Sequence, residues 1–277
     1  MGRDHEPVPP SVLSAFGLVG YPVPLDGGQG SSIRVGAAVL KPSCGVAETA
    51  WIAEVGRRIQ HNGFRLPLPL PALDGSWAVD GWSAVEHVEG AAASDGQWHE
   101  VLGTSRALHI ALRHEARPSF LDERDDRWAV ADRVAWDQLD VEVGPGSMPL
   151  LRRLSALRQG IDLDSQLIHG DLSGNVLCAD RLPPAVIDFS PYWRPATYAD
   201  AVVVVDALLW WDAEESLVDT GVPPEMTWTT WHQLLVRAAV FRLVSLDQLS
   251  RSELPEMAEQ LPLYHRVVSL LERRTTG

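Results

Sequence analysis

The chain has 277 residues, long for one compact core and enough for two lobes or two small domains. Its 45% hydrophobic and 22% charged residues suit a soluble globular protein, and a net charge of −14 argues against a general nucleic-acid binder while remaining compatible with a cationic small molecule. Only two cysteines, Cys44 and Cys178, stand far apart, which argues against a disulfide framework or thiolate zinc site and points to a reducing, cytoplasmic setting.

The opening residues lack the apolar run of a secretory signal. No stretch approaches the roughly 18 apolar residues of a membrane span. A short helix is expected over Val12–Phe16. Gly27-Gly28-Gln29-Gly30 then marks a tight turn. Ile33–Val35 and Ala37–Lys41 read as strands flanking Gly36. Lys41 is the single lysine in a chain with 22 arginines. A compact ammonium is not interchangeable with a guanidinium fork, so the exception hints at chemistry that arginine cannot do.

Val46–Ile59 has helical spacing and carries Glu48 and Glu54. Leu66–Pro71 alternates Pro and Leu and cannot be helix. Trp77–Val79 and Ser83–Val88 read as a hairpin around Asp80-Gly81. Up to Gly90 the chain is strand-rich, and beyond it helix-rich. Helices are expected over Gln97–Arg113, Asp132–Leu139 and Met148–Gln159, with Asp122–Asp126 as a charged, solvated loop. Ala199–Trp211, Trp228–Leu249 and Pro255–Arg274 are also helical. Asp206 interrupts the apolar run Ala201–Trp211, which reads as a buried helix. Among the 11 Trp, Trp210, Trp211, Trp228 and Trp231 read first as core. The other reading makes them walls of a pocket that holds a cation on its π faces, with Asp212, Glu214 and Glu215 adding charge.

The densest polar cluster is His169-Gly170-Asp171-Leu172-Ser173-Gly174-Asn175. Val176-Leu177-Cys178 leads out of it, and Ala185-Val186-Ile187 returns as a short strand delivering Asp188. Asp171, Asn175 and Asp188 are therefore gathered at one end of a small hairpin. Phosphoryl transfer wants this set: hard oxygen ligands for Mg²⁺, and a further carboxylate that accepts or orients the attacking hydroxyl.

His169-Gly170-Asp171-Leu172 with Asn175, followed by Ile187-Asp188-Phe189, resembles the catalytic loop and metal-binding aspartate of the aminoglycoside phosphotransferase and choline-kinase-like family. The resemblance runs from about Gly27 to Asp200. It includes the glycine turn, Lys41, Glu48, a hinge at Glu86-His87-Val88-Glu89-Gly90, Leu108-His109 and Tyr198-Ala199-Asp200. It implies an α+β, two-lobed, protein-kinase-like fold. Residues 1–90 would form a strand-rich N-lobe and residues 91–277 a helical C-lobe. It implies an ATP- and Mg²⁺-dependent phosphotransferase acting on a hydroxyl of a small polar molecule. Asp171 would be the catalytic base, and Asn175 and Asp188 would hold Mg²⁺. Gly28, Gly30 and Ser31 would cover the nucleotide. Lys41, steadied by Glu48, would contact the phosphates, and the backbone at Glu86 and Val88 would hold the adenine.

Three features depart from the family pattern. The Asp171-to-Asn175 interval is one residue short, so Ser173 is an alternative ligand. The glycine turn lacks full GxGxxG spacing, and Lys41 and Glu48 are only seven residues apart, with Glu54 as the other candidate partner. These departures motivate the alternative of a nucleotide-binding regulator with little catalysis.

Overall fold

The computed structural model describes residues 8–25, 31–93, 96–250 and 254–275. The chain packs as two compact units. The smaller contains Met1–Ala93, Ile110–Glu115 and Gly174–Phe189, and the larger contains Ser94–His109, Ala116–Ser173 and Ser190–Gly277.

In the smaller unit, α1 (Pro10–Ala15) begins with Pro10, whose missing N–H is no loss in a first turn. Next come β1 (Val23–Pro24), β2 (Ile33–Val35), β3 (Ala38–Pro42), α2 (Val46–Arg58), β4 (Pro69–Leu70) and β5 (Trp82–Glu86). The strands form an antiparallel sheet in the order β1-β2-β3-β5-β4. Val12, Ile33, Val35, Leu40 and Ala84 make its core. The expected strand Trp77–Val79 shrinks to a single bridge, Val79 to Trp82. Asp80 (φ 48°) and Gly81 (φ 79°) are both left-handed, as a two-residue hairpin turn requires. β6 (Ala91–Ala92) follows Gly90.

The larger unit takes over with α3 (Trp98–Leu112), a helix whose last residues belong to the smaller unit. Then come α4 (Phe120–Glu123), α5 (Arg127–Ala135), α6 (Met148–Leu157) and β7 (Gln166–His169). Here two expectations shift. Asp126, read as part of a solvated loop, caps α5 by accepting from the N–H groups of Trp128 and Ala129. The helix expected over Asp132–Leu139 therefore starts earlier, and it is over before Asp137, which is left-handed at φ 57°.

β8 (Val176–Ala179) and β9 (Leu182–Val186) return to the smaller unit and form a three-stranded sheet in the order β6-β8-β9. β10 (Pro191–Arg194) then pairs antiparallel with β7 in the larger unit. α7 (Ala196–Trp210), α8 (Leu217–Thr220), α9 (Trp228–Ser250) and α10 (Leu254–Arg273) complete the chain. α7 is buried from Tyr198 to Leu209, and α9 from Trp231 to Leu246. α7 is apolar nearly all round, as a fully covered helix requires, whereas α9 also buries His232, Gln233, Arg237 and Arg242. Among the described residues no helix is long and apolar enough to cross a membrane.

Candidate active site

In the smaller unit, β3 carries Lys41 opposite Ser83 of β5. The Lys41 ammonium pairs with the carboxylate of Asp188. Asp188 is left-handed (φ 51°), a conformation that an aspartate tolerates better than most side chains. The β8–β9 hairpin brings Asn175 towards it. Val176 is in register with Val186, and the Ile187 N–H donates to the Asn175 carbonyl at 2.9 Å. Asn175 is buried, while the Asp188 side chain remains 34% exposed. Lysine, asparagine and aspartate thus belong to one unit although 147 residues separate the ion pair.

The other residues expected to contact the nucleotide lie on α2, at the end of β5 and before β2. Glu48 lies in the first turn of α2, close to the exposed Cys44. Glu54 is exposed and faces Arg58 one turn on. Glu86 ends β5, with its N–H donating to the Leu68 carbonyl at 2.8 Å, and Val88 follows two residues later. Gly90 has φ 149°, and a Cβ there would stand 2.8 Å from the Leu177 Cβ, so only glycine lets the chain cross β8 so closely. Ser31 is exposed just before β2. Gly28 and Gly30 lie outside the described residues.

In the larger unit, hydrogen bonds build the Asp171 loop from beneath. The N–H groups of Asp171 and Ser190 both point to His169 Nδ1, at 3.2 and 3.4 Å. The His169 N–H donates to His109 Nε2 at 3.1 Å. His109 Nδ1 meets Ser105 Oγ at 3.2 Å, and that hydroxyl donates to Asp200 Oδ1 at 2.6 Å. Arg106 Nε donates to the other oxygen of Asp200 at 2.8 Å. The chain of donors has one consistent reading: His109 is neutral, protonated on Nδ1 and accepting on Nε2. Burial, helped by the neighbouring His169, pushes its pKa down to about 3. His109 and Asp200 thus support the Asp171 loop from beneath. Gly170 is required by close approach, because a Cβ would stand 2.4 Å from the Tyr192 ring. Leu172 is buried and anchors the far side of the loop, and Gly174 (φ 79°) turns the chain back within the shortened interval to Asn175.

The side chain of Asp171 meets a partner that sequence reasoning missed. Arg242 Nη2, on α9, donates to Asp171 Oδ1 at 2.7 Å and to Asp206 Oδ2 of α7 at 2.6 Å. Arg242 Nε reaches Asp206 Oδ1 at 2.7 Å. Burial raises the Asp206 carboxyl against the opposing pull of Arg242. Burial by itself would lower the Arg242 pKa, but the two carboxylates override it. The guanidinium is also boxed by aromatic rings: Phe241 at 5.0 Å, Trp210 at 5.5 Å and Trp128 at 5.6 Å to the centroids. The signal was present in the sequence, since Asp206 and Arg242 each interrupt an apolar helix and a buried charge needs a partner.

Around this triad opens a cavity of about 320 Å³, lined by Trp128, Asp171, Ser173, Asp206, Trp210, Trp211 and Arg242. Trp210 and Trp211 are therefore pocket walls. Trp231 is fully buried and donates from Nε1 to the Val218 carbonyl at 2.8 Å, as a core residue does.

Magnesium takes hard oxygen ligands and usually keeps several waters, relying on one or two protein groups plus phosphate oxygens. The carboxylate of Asp188 and the amide of Asn175 fit that demand. Among the described residues no cluster of three or more His, Cys, Asp or Glu side chains offers an all-protein metal cage.

No protein-family model matches the sequence, and no curated protein matches it. Solved structures do match over nearly the whole chain. A choline/ethanolamine kinase family protein from Mesorhizobium loti aligns with a TM-score of 0.64 at 16% identity, covering 97% of this chain and 95% of that one. An aminoglycoside phosphotransferase from Alicyclobacillus acidocaldarius aligns at 0.63 and 16% identity, covering 99% and 96%. Spectinomycin phosphotransferase, solved with ADP and spectinomycin, aligns at 0.60 and 14% identity, covering 95% and 96%. The chain has the α+β, protein-kinase-like fold of these phosphotransferases.

Proposed function

We propose that the protein is an ATP-dependent phosphotransferase that moves the γ-phosphoryl group to a hydroxyl of a small molecule. The observation that carries this reading is the Lys41–Asp188 ion pair beside Asn175: the single lysine of the chain meets a carboxylate 147 residues away. The fold adds support, because several chains that share it were solved with ADP, AMP or AMP-PNP.

Lys41 contacts the nucleotide phosphates, and Asp188 and Asn175 hold Mg²⁺. When bound, the ion neutralises charge on the phosphate oxygens. The backbone at Glu86 and Val88 holds the base, with Gly28, Gly30 and Ser31 over the phosphates and Glu48 near Lys41. Asp171 accepts the proton of the acceptor hydroxyl as it attacks. Arg242 and the hydrogen bonds through His169 hold Asp171 in place, so catalysis rests on positioning more than on covalent chemistry.

The test is the thermal midpoint of the protein with ATP, with and without Mg²⁺, beside Asp188→Ala. Binding to the folded state stabilises by RT ln(1 + [L]/Kd), about 2.7 kcal/mol at a hundredfold excess over Kd. The expected result is a Mg²⁺-dependent rise that Asp188→Ala removes. A rise indifferent to Mg²⁺ would favour the nucleotide-binding regulator, and no rise would remove the nucleotide from the account.

A further inference from the structure

The cavity at Asp171 has the parts of a cation-binding box: three indoles and two carboxylates. Its occupant is already present. The Arg242 guanidinium lies within 5.6 Å of the ring centroids of Trp128, Trp210 and Phe241 and donates to both Asp171 and Asp206. Its side chain is only 3% exposed, so it is a fixed part of the cavity wall.

A cationic head group entering this space would find the Trp128 and Trp210 faces engaged by the guanidinium, with Trp211 alone left open, and both carboxylates already accepting from it. It would still lose its hydration, and it would approach a like charge. Two of the three acids beyond the indoles are also matched. Asp212 faces Arg266 at 3.7 Å and Glu215 faces Arg273 at 3.1 Å. What the cavity offers an incoming molecule is flat apolar indole surface and a carboxylate at its base, the mixture of apolar wall and few polar groups that small-molecule sites use.

We propose that this cavity takes a neutral hydroxylated molecule with an apolar face and discriminates against cationic head groups, because Arg242 fills the cation box from within. The assignment of that molecule as the phosphoryl acceptor rests on the function proposed above, whereas the charge preference rests on the cavity alone. It chooses against the cationic acceptor with which the net charge of −14 is also compatible.

The test uses a pair of probes of nearly equal shape that differ in charge, choline and 3,3-dimethylbutan-1-ol, titrated into nucleotide-free protein and followed by tryptophan fluorescence. The neutral alcohol is expected to bind about tenfold more tightly than choline. In Arg242→Ala/Asp206→Asn, which empties the box and neutralises the carboxylate left behind, the preference is expected to reverse. Choline binding to the native protein as tightly as the alcohol overturns the proposal, as does an absence of saturable binding by either probe. The native-protein titrations decide the matter if the double variant fails to fold. No nucleotide is present, so a failed ATP shift and a failed charge preference are separate results.

Discussion

His109 gives the most quantitative consequence of the loop architecture. Its ring is fully buried and works as a neutral group, donating towards Ser105 and accepting from the His169 N–H. Burial and the adjacent His169 hold its pKa at about 3, whereas an unfolded chain returns it to about 6.5. The folded-state value is depressed, so the contribution is complete above about pH 6.5 and is lost as the pH falls towards 3, where the unfolded state alone takes the proton. The limiting slope is about 1.4 kcal/mol per pH unit, and integration between about pH 7.5 and pH 5 gives a loss of about 2 kcal/mol. The assay is urea unfolding of native protein and His109→Gln across that range. Glutamine keeps an acceptor near Nε2 and cannot titrate. Asp132, Asp200 and Asp206, whose carboxyls burial raises, shift stability in the opposite sense. The contributions of Asp132 and Asp206 cancel in the difference between the two proteins, and Asp200 keeps its Arg106 and Ser105 donors in both. Native protein should lose about 2 kcal/mol more than the variant on acidification, and parallel pH profiles would refute the neutral-histidine scheme.

Removing charge from Asp206 by Asp206→Asn should cost about 3–5 kcal/mol in urea unfolding, because Arg242 stays buried with a weakened partner set. Gly170→Ala should destabilise by about 1–3 kcal/mol, since its Cβ would meet the Tyr192 ring at 2.4 Å and one of them must shift; thermal melting reads this directly. Gly90→Ala should be destabilising for two independent reasons, its φ of 149° and the 2.8 Å approach to the Leu177 Cβ, and the same melt should show a lowered midpoint.

The architecture was legible where pattern and length agreed. α2, α3, α7 and α9 begin and end within a few residues of the expected helices. Lone charges and prolines misled where context overrode local chemistry. β10 opens on Pro191, and a proline is tolerated as the first residue of a strand. In β9, Pro183 and Pro184 contribute carbonyls, which accept from Arg65 Nε and the Arg65 N–H at 2.7 and 2.8 Å. Asp126 looked solvated because a cap and a loop acid are the same residue until the helix after it is located. In the site, the order of Lys41, Asp171, Asn175 and Asp188 was readable. For the clamp on Asp171, two charges in apolar helices signalled a need for partners, but not which partners, because Arg242 and Asp206 come from different helices and only packing brings them together.

The most direct measurement is ³¹P NMR of MgATP incubated with the protein and a mixture of neutral hydroxylated acceptors, alongside Asp171→Asn. The account predicts loss of the γ-phosphorus resonance with growth of ADP and a phosphomonoester, and a profound slowing in the variant. Intact ATP with the native protein, or equal turnover in Asp171→Asn, would contradict it.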